Sequence, residues 1–377
     1  MPDASAPRTL DLDALHAALT ALPAFKGLKR SALRPMRVKG LAHDHVAIEG
    51  PRFDGRPVLL RVPKQSQFGF AAERNLRYQA ACFERVSASG HAPRLHAAIP
   101  PSPRVPMGAL VVDRILGHPP RLPDDLPALV EAMARVHSLP LPPTTARPPL
   151  EDHADPVAGI LREIEGQAGF LDEAGLAAGS RAEIDGELAW ARAFACEAGA
   201  ESQPITLVLT DTHPGNFLIE PGGPEDGKAV IVDLEKALYG SPAIDLAHAT
   251  VYSSTTWDPD TWADLDLGQV AGFYRDYLSL AEPGLAAALR PWLVPLRRLL
   301  FLRAITWCAK WSVLHRRSRR ENLHRAEGTE DWSSENSDPA LIAHVADRVG
   351  HYLEADTLQR MRAEWLGSNP LGVQLES

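Results

Sequence analysis

The chain has 377 residues, 45% of them hydrophobic, and a formal net charge of −9. That length exceeds what one core usually supports, so two lobes are expected, and the acidic balance argues against a nucleic-acid or anionic-membrane partner. Cys82, Cys196 and Cys308 are far apart and odd in number, which suggests neither a disulfide framework nor a metal site and fits a reducing cytoplasm.

The opening residues, MPDASAPRTLDLD, lack the basic and apolar segments of a signal peptide. The most apolar later run, residues 299–309, contains Arg303 and is too short to span a bilayer. A cytoplasmic protein is expected. Residues 10–22 have leucines and alanines at helical spacing and predict a surface helix on the first lobe. Residues 35–39 read as a strand, followed by a turn at Gly40. His43 and His45 read as exposed turn residues rather than metal ligands. No G-x-x-x-x-G-K-[ST] run occurs, which argues against a P-loop kinase. Asp54-Gly55 is a hairpin signal that feeds a strand over 58–62. Ala72, Leu76, Ala80 and Phe83 form one stripe of a helix over 71–83.

Residues 93–98 and 109–113 predict two more strands. Residues 124–138 have an acidic start, Pro127 in the first turn and an apolar face, so they predict a well-signalled helix. Residues 155–197 give two further helical patterns.

The informative stretch is residues 207–248, LVLTDTHPGNFLIEPGGPEDGKAVIVDLEKALYGSPAIDLAH. Short apolar runs end on Asp211, Asn216 and Asp233, as when reactive groups are mounted on loops held by a rigid frame. Asp211 followed five residues later by Asn216 matches the spacing of a kinase catalytic loop, and Asp233 stands where a metal-bridging carboxylate follows. Phosphoryl transfer needs a carboxylate within reach of the acceptor hydroxyl and a divalent metal on the phosphates.

Downstream, residues 245–254, 257–280 and 291–315 read as helical. Trp307 and Trp311 could cage a cation, but core packing is the plainer reading. The basic run 315–320 could draw in anions, but a solvated helix end explains it at least as well, and 333–338 reads as a polar loop. Residues 339–366 form a last helical segment, with a frayed tail expected after Gly367.

Asp211, His213, Pro214, Gly215 and Asn216, then Asp233, Glu235, Gly240, Pro242, Asp245, Leu246 and Ala247, together resemble the aminoglycoside phosphotransferase family, which includes choline kinase-like enzymes. The family's usual His-Gly before the aspartate is Leu209-Thr210 here, and its Asp before Pro242 is Ser241. The resemblance implies an α+β, two-lobed protein-kinase-like fold. Its nucleotide-binding lobe would span 1–112, with a small antiparallel sheet. A larger, mainly helical catalytic and acceptor lobe would span 113–377.

The resemblance also implies roles. Asp211 would accept the hydroxyl proton. Asn216 and Asp233 would hold Mg2+, with Glu235, Asp245 and His213 supporting them. Arg61, aligned by Glu73, would orient ATP, with GTP as the alternative nucleotide. Gly40 would lie in the phosphate-covering turn, and Asp113 and Ile115 would mark a hinge that holds the base. His137 matches a helix-end histidine with a packing role. The partner would be a small molecule bearing a hydroxyl, and a non-catalytic nucleotide-binding scaffold is the competing reading.

Overall fold

The structure is a computed structural model that describes residues 10–36, 42–198, 203–221, 227–321 and 339–376. The turn at Gly40 and the polar segment 333–338 lie outside these.

Three short strands open the chain after helix α1 (Leu12–Thr20): β1 (Leu33–Pro35), β2 (His43–Phe53) and β3 (Arg56–Pro63). Asp54 and Gly55 join β2 to β3 with φ of 48° and 80°. Positive φ at both central residues is what a tight hairpin with the native twist demands. Helix α2 (Ala72–Val86) follows, then β4 (Leu95–Ile99) and β5 (Ala109–Asp113). The five strands form one antiparallel sheet in the order β1-β2-β3-β5-β4.

The strand period of two separates the faces of this sheet. Ala109 and Val111 of β5 pack with Leu15, Leu19 and Phe25 around α1, while Leu110 and Val112 pack with Leu76 and Phe83 of α2. Thus α1 does cover the first sheet. Helix α2 belongs to the larger core. The Tyr78 hydroxyl donates to the Ala237 carbonyl at 2.8 Å, and Arg85 donates to the Pro148 carbonyl at 2.6 Å and to the Tyr239 hydroxyl at 2.9 Å. The helix is therefore bolted to the rest of the molecule, and so is the sheet it carries.

The remainder is mainly helical: α3 (Leu126–His137), α4 (Pro156–Ala168), α5 (Ala178–Ala198), then strands β6 (Thr206–Val208), β7 (Phe217–Glu220), β8 (Lys228–Ile231) and β9 (Leu238–Gly240). Pairing is β6 with β9 and β7 with β8. Helices α6 (Pro242–Thr250), α7 (Tyr252–Thr255), α8 (Leu267–Leu280), α9 (Pro283–Leu289), α10 (Leu293–Glu321), α11 (Pro339–Tyr352), α12 (Ala355–Leu366) and α13 (Leu371–Glu376) complete the chain.

Three expectations need correction. Residues 257–266 are not helical. The helix starts at Leu267, where the Asp266 side chain accepts from the Gln269 peptide and the Gln269 side chain accepts from the Asp266 peptide, a reciprocal cap. The tail does not simply fray: Leu371 is fully buried, and Arg275 holds the Gln374 carbonyl at 2.8 Å. His43 and His45 belong to β2 and do not lie in an exposed turn; His43 is buried. Among the described residues no helix is long and apolar enough to cross a membrane.

Candidate active site

The loop after β6 carries Asp211, and its backbone is held by one buried carboxylate. Asp245, on the first turn of α6, accepts from the peptide N–H of Leu209 at 2.8 Å and of Thr210 at 2.7 Å. His137 at the end of α3 places Nε2 3.0 Å from Asp245 Oδ2, and its Nδ1 lies 2.8 Å from the Tyr277 hydroxyl. Asp245, His137 and Tyr277 are all buried. His137 thus does more than pack: it completes the hydrogen bonding of the carboxylate that holds the loop.

Thr210 has φ of +62°, a left-handed conformation that costs a non-glycine residue about 1–2 kcal/mol. Its hydroxyl donates to the Lys236 carbonyl at 3.0 Å. The loop therefore keeps its shape with Leu209-Thr210 in place of His-Gly, because Asp245 holds both peptides and the Thr210 side chain adds a tie of its own.

Beyond Asp211, residues 214–216 make a single tight turn. Asn216 donates through Nδ2 to the Asp211 carbonyl at 2.8 Å, which closes the loop on itself. A Cβ at Gly215 would meet Asp258 Oδ2 at 2.7 Å and His213 Cε1 at 2.9 Å, so any larger residue there would displace these side chains.

The Asp211 carboxylate is 23% exposed and faces basic groups: Lys236 Nζ at 2.8 Å, His248 Nδ1 at 3.7 Å and His213 Nε2 at 4.0 Å. Burial alone would raise its pKa. The Lys236 ammonium, followed by His213 and His248, overrides that and holds the carboxyl far below the usual carboxylate range. Burial pulls the Lys236 ammonium down, but Asp211 more than offsets it and keeps Lys236 charged. Burial depresses His248 to about 3, so its imidazole is neutral at pH 7.

The second acidic cluster sits at the end of β8. The Asp233 side chain is 31% exposed and forms an ion pair with Arg61 of β3. Glu235 is buried and receives the Gln79 amide at 3.1 Å, with His43 Nε2 at 3.0 Å and Arg61 at 3.8 Å. Burial, then the neighbouring Asp233 charge, pushes Glu235 up to about 8, while burial and then Arg61 hold His43 well below its usual value. Both groups are therefore neutral near pH 7.

Glu73 is not Arg61's partner. It lies on the exposed side of α2's first turn, because the stripe of α2 that turns inward carries Asn75, Gln79 and Cys82. Arg61 instead spans from the sheet to the carboxylates after β8, and its Nε is buried without a partner among the described residues.

The expected hinge follows β5. The Asp113 carboxylate is taken up by the Arg94 peptide and side chain, each at 3.1 Å, and by His96 at 2.7 Å. It locks β4 to β5 and is not open to a ligand. Two residues on, the peptide groups of Ile115 have no partner among the described residues, which is what an edge for hydrogen bonding a base requires.

A model of the phosphotransferase enzyme family matches residues 39–283, more than half of the chain. The chain belongs to this family. Solved structures similar to this phosphotransferase include a choline/ethanolamine kinase family protein from Mesorhizobium loti, at 16% identity and a TM-score of 0.55, covering 97% of this chain and 99% of that one. An ethanolamine kinase from Plasmodium vivax is similar at 11% identity and a TM-score of 0.57, over 93% and 90% of the two chains. The GDP complex of aminoglycoside 2'-phosphotransferase-IIIa is similar at 15% identity and a TM-score of 0.54, over 90% and 99%. These likenesses establish the protein-kinase-like fold. No curated protein matches the chain.

Among the described residues no group of three or more His, Cys, Asp and Glu is arranged to hold a metal. At the end of β8 the phosphotransferase offers the half-exposed Asp233 carboxylate, and beside it the Asn216 amide, whose nitrogen is already committed to the Asp211 carbonyl and whose oxygen is thus left as an acceptor. One or two hard oxygen donors completed by phosphates and water is the donor set magnesium takes, so the residues fit that ion.

The structure brings Asp211, His213, Asn216, Asp233, Glu235, Asp245 and Arg61 together. Sequence reading missed Lys236, His248, Gln79 and His43. Some of these left a signal. His248 stands at i+3 from Asp245 on α6, and Gln79 is a polar residue on the inward stripe of α2.

Proposed function

We propose that the chain transfers the γ-phosphoryl group of ATP to a hydroxyl of a small molecule, with magnesium on the phosphates. The observation that supports this best is Asp211: an ionised carboxylate on a braced loop, partly open to solvent, beside the Asn216 and Asp233 donors. In this reading Asp211 accepts the acceptor's O–H and orients it for in-line attack, and Arg61 shifts from Asp233 to the nucleotide's phosphates. Asn216 and Asp233 would hold the magnesium ion, which would supply charge neutralisation at the phosphates. The free peptide groups at Ile115 would take the base edge. Glu235 lies beside Arg61, and Asp245 holds the loop.

Two measurements test this. Mg-ATP, but not ATP in chelator, is expected to raise the thermal midpoint, and ADP release is expected to require an alcohol. Stabilisation by nucleotide with no ADP release across amino alcohols, sugars, hydroxy acids and aminoglycosides would favour a scaffold instead.

Lys236 gives a sharper prediction. Its ammonium is the largest influence holding Asp211 ionised. In Lys236→Met the Asp211 pKa rises toward the ordinary carboxylate value, so the acid limb of kcat moves up in pH. An acid limb that stays in place would show that Lys236 does not set the ionisation of Asp211.

A further inference from the structure

Several side chains gather around the loop that carries Asp211. His213 and His248 meet edge to face at 6.1 Å, both beside the carboxylate. Arg303 of α10 places Nη2 3.4 Å from the Thr210 carbonyl, next to Asp211. Trp307, one turn further along α10, meets Trp257 at 5.9 Å, and the neighbouring Asp258 lies against Gly215 of the same loop. The hydroxyl that Asp211 serves would approach among these side chains.

Their charges limit what the hydroxyl can be attached to. Asp211 is already matched by Lys236, and His248 is neutral. Asp258 has one oxygen taken by the Asp260 peptide at 2.9 Å. Arg303 is held only loosely. Its Nη1 lies 3.5 Å from Glu163, a carboxylate 45% exposed and so well screened, and its contact with Thr210 is long. The Arg303 side chain is itself 19% exposed. A guanidinium with both contacts stretched, beside a site where a hydroxyl must sit, can turn to receive a planar anion in a fork.

A second group on the acceptor two carbons from its hydroxyl lies only about 3–4 Å from that oxygen, by covalent geometry. With Lys236 committed to Asp211, the group left to meet a charge there is Arg303, which repels a cation and pairs an anion. We propose that the preferred acceptor carries a carboxylate or phosphate within two or three carbons of the hydroxyl that is phosphorylated, and that Arg303 receives it. This rests on the phosphotransfer reading. In the step itself the acceptor oxygen forms the bond to the γ-phosphorus. The bond from that phosphorus to the bridging oxygen breaks, ADP leaves with the electron pair, and the hydroxyl proton is released by way of Asp211.

The test uses acceptors that share a frame and differ in charge. One set is glycerol, glycerate, glycerol 3-phosphate and 3-aminopropane-1,2-diol; the other is glucose, gluconate and glucosamine. ADP release should give the highest kcat/KM for an anionic member of a set, with glycerate against glycerol 3-phosphate separating carboxylate from phosphate. Arg303→Gln should raise KM for that anion by about ten- to a hundredfold, leave the neutral member's KM within a few-fold, and keep the thermal shift by Mg-ATP. Highest kcat/KM for an amine or a neutral member overturns the anion assignment and leaves phosphotransfer standing. An equal loss for anionic and neutral members in Arg303→Gln also overturns it, since that would mark a structural role. No ADP release with any of these, but release with an uncharged or cationic alcohol of the wider panel, overturns the acceptor assignment alone; no release across the whole panel, while Mg-ATP still stabilises the chain, counts against phosphotransfer itself.

Discussion

Asp211→Asn is expected to lower kcat by about 10²–10⁴-fold, the usual contribution of a positioned acid–base group, while nucleotide affinity stays near that of the parent. The two effects separate because of how the loop is built. The Asp211 carbonyl, not its side chain, receives Asn216, and the peptides before it are held by Asp245. An amide at this position therefore leaves the loop closed and Asn216 and Asp233 in place. What it removes is the charge facing the acceptor. Lys236 loses its partner, but at 36% exposure its ammonium can reach water, so no large folding penalty follows. His248, at 3.7 Å from the same carboxylate, is neutral, so it does not restore the lost negative charge. Steady-state ADP release with the best acceptor, alongside a Mg-ATP thermal shift, checks both halves. Turnover within a few-fold of the parent would show that Asp211 is not the group that receives the hydroxyl.

The parts of this site that could be read in the sequence are those fixed by local geometry. The D-x-x-x-x-N spacing is legible because the tight turn at residues 214–216 brings the Asn216 amide back to the Asp211 carbonyl, with Gly215 leaving room for the Asp258 and His213 side chains. The hairpin at Asp54-Gly55 and the inward stripe of α2 were legible for the same reason: one residue's neighbours along the chain decide them.

The assignments that failed depend on distant contacts. Glu73 sits at a position and in a residue type suited to pairing with Arg61, but helix rotation is set by Leu76, Tyr78 and Phe83 packing into the larger core, and that rotation faces Glu73 to solvent. Arg61 then finds its carboxylate 172 residues away. His43 looked like a turn residue because nothing local shows that β2 runs beneath Glu235. The replacement of His-Gly by Leu209-Thr210 looked like a loss of bracing. In the fold the bracing comes from α3 and α6, which lie far from the loop in sequence.

That brace yields the second large effect. Asp245→Ala is expected to cost about 3–5 kcal/mol of stability, the range for removing one member of a buried, hydrogen-bonded charged group, out of a total of about 5–15 kcal/mol for an ordinary fold. The carboxylate's two oxygens serve the Leu209 and Thr210 peptides and His137, all buried. Its loss orphans these donors and releases Thr210 from a φ of +62° that the chain adopts only under constraint.

Asp245→Asn keeps the size but turns one acceptor into a donor facing a peptide N–H, so it should recover only part of the loss. Tyr277→Phe removes just the outermost link, the 2.8 Å contact to His137, and should cost about 1 kcal/mol. Stability should therefore fall in the order Tyr277→Phe, Asp245→Asn, Asp245→Ala by chemical denaturation. kcat should fall in the same order, because each step loosens the loop on which Asp211 is mounted, whereas nucleotide affinity, which depends on Arg61 and the hinge, should change far less. Stability lost in that order with kcat unchanged in the folded fraction would mean that the loop holds Asp211 in place without this network, and that Asp245 serves the core alone.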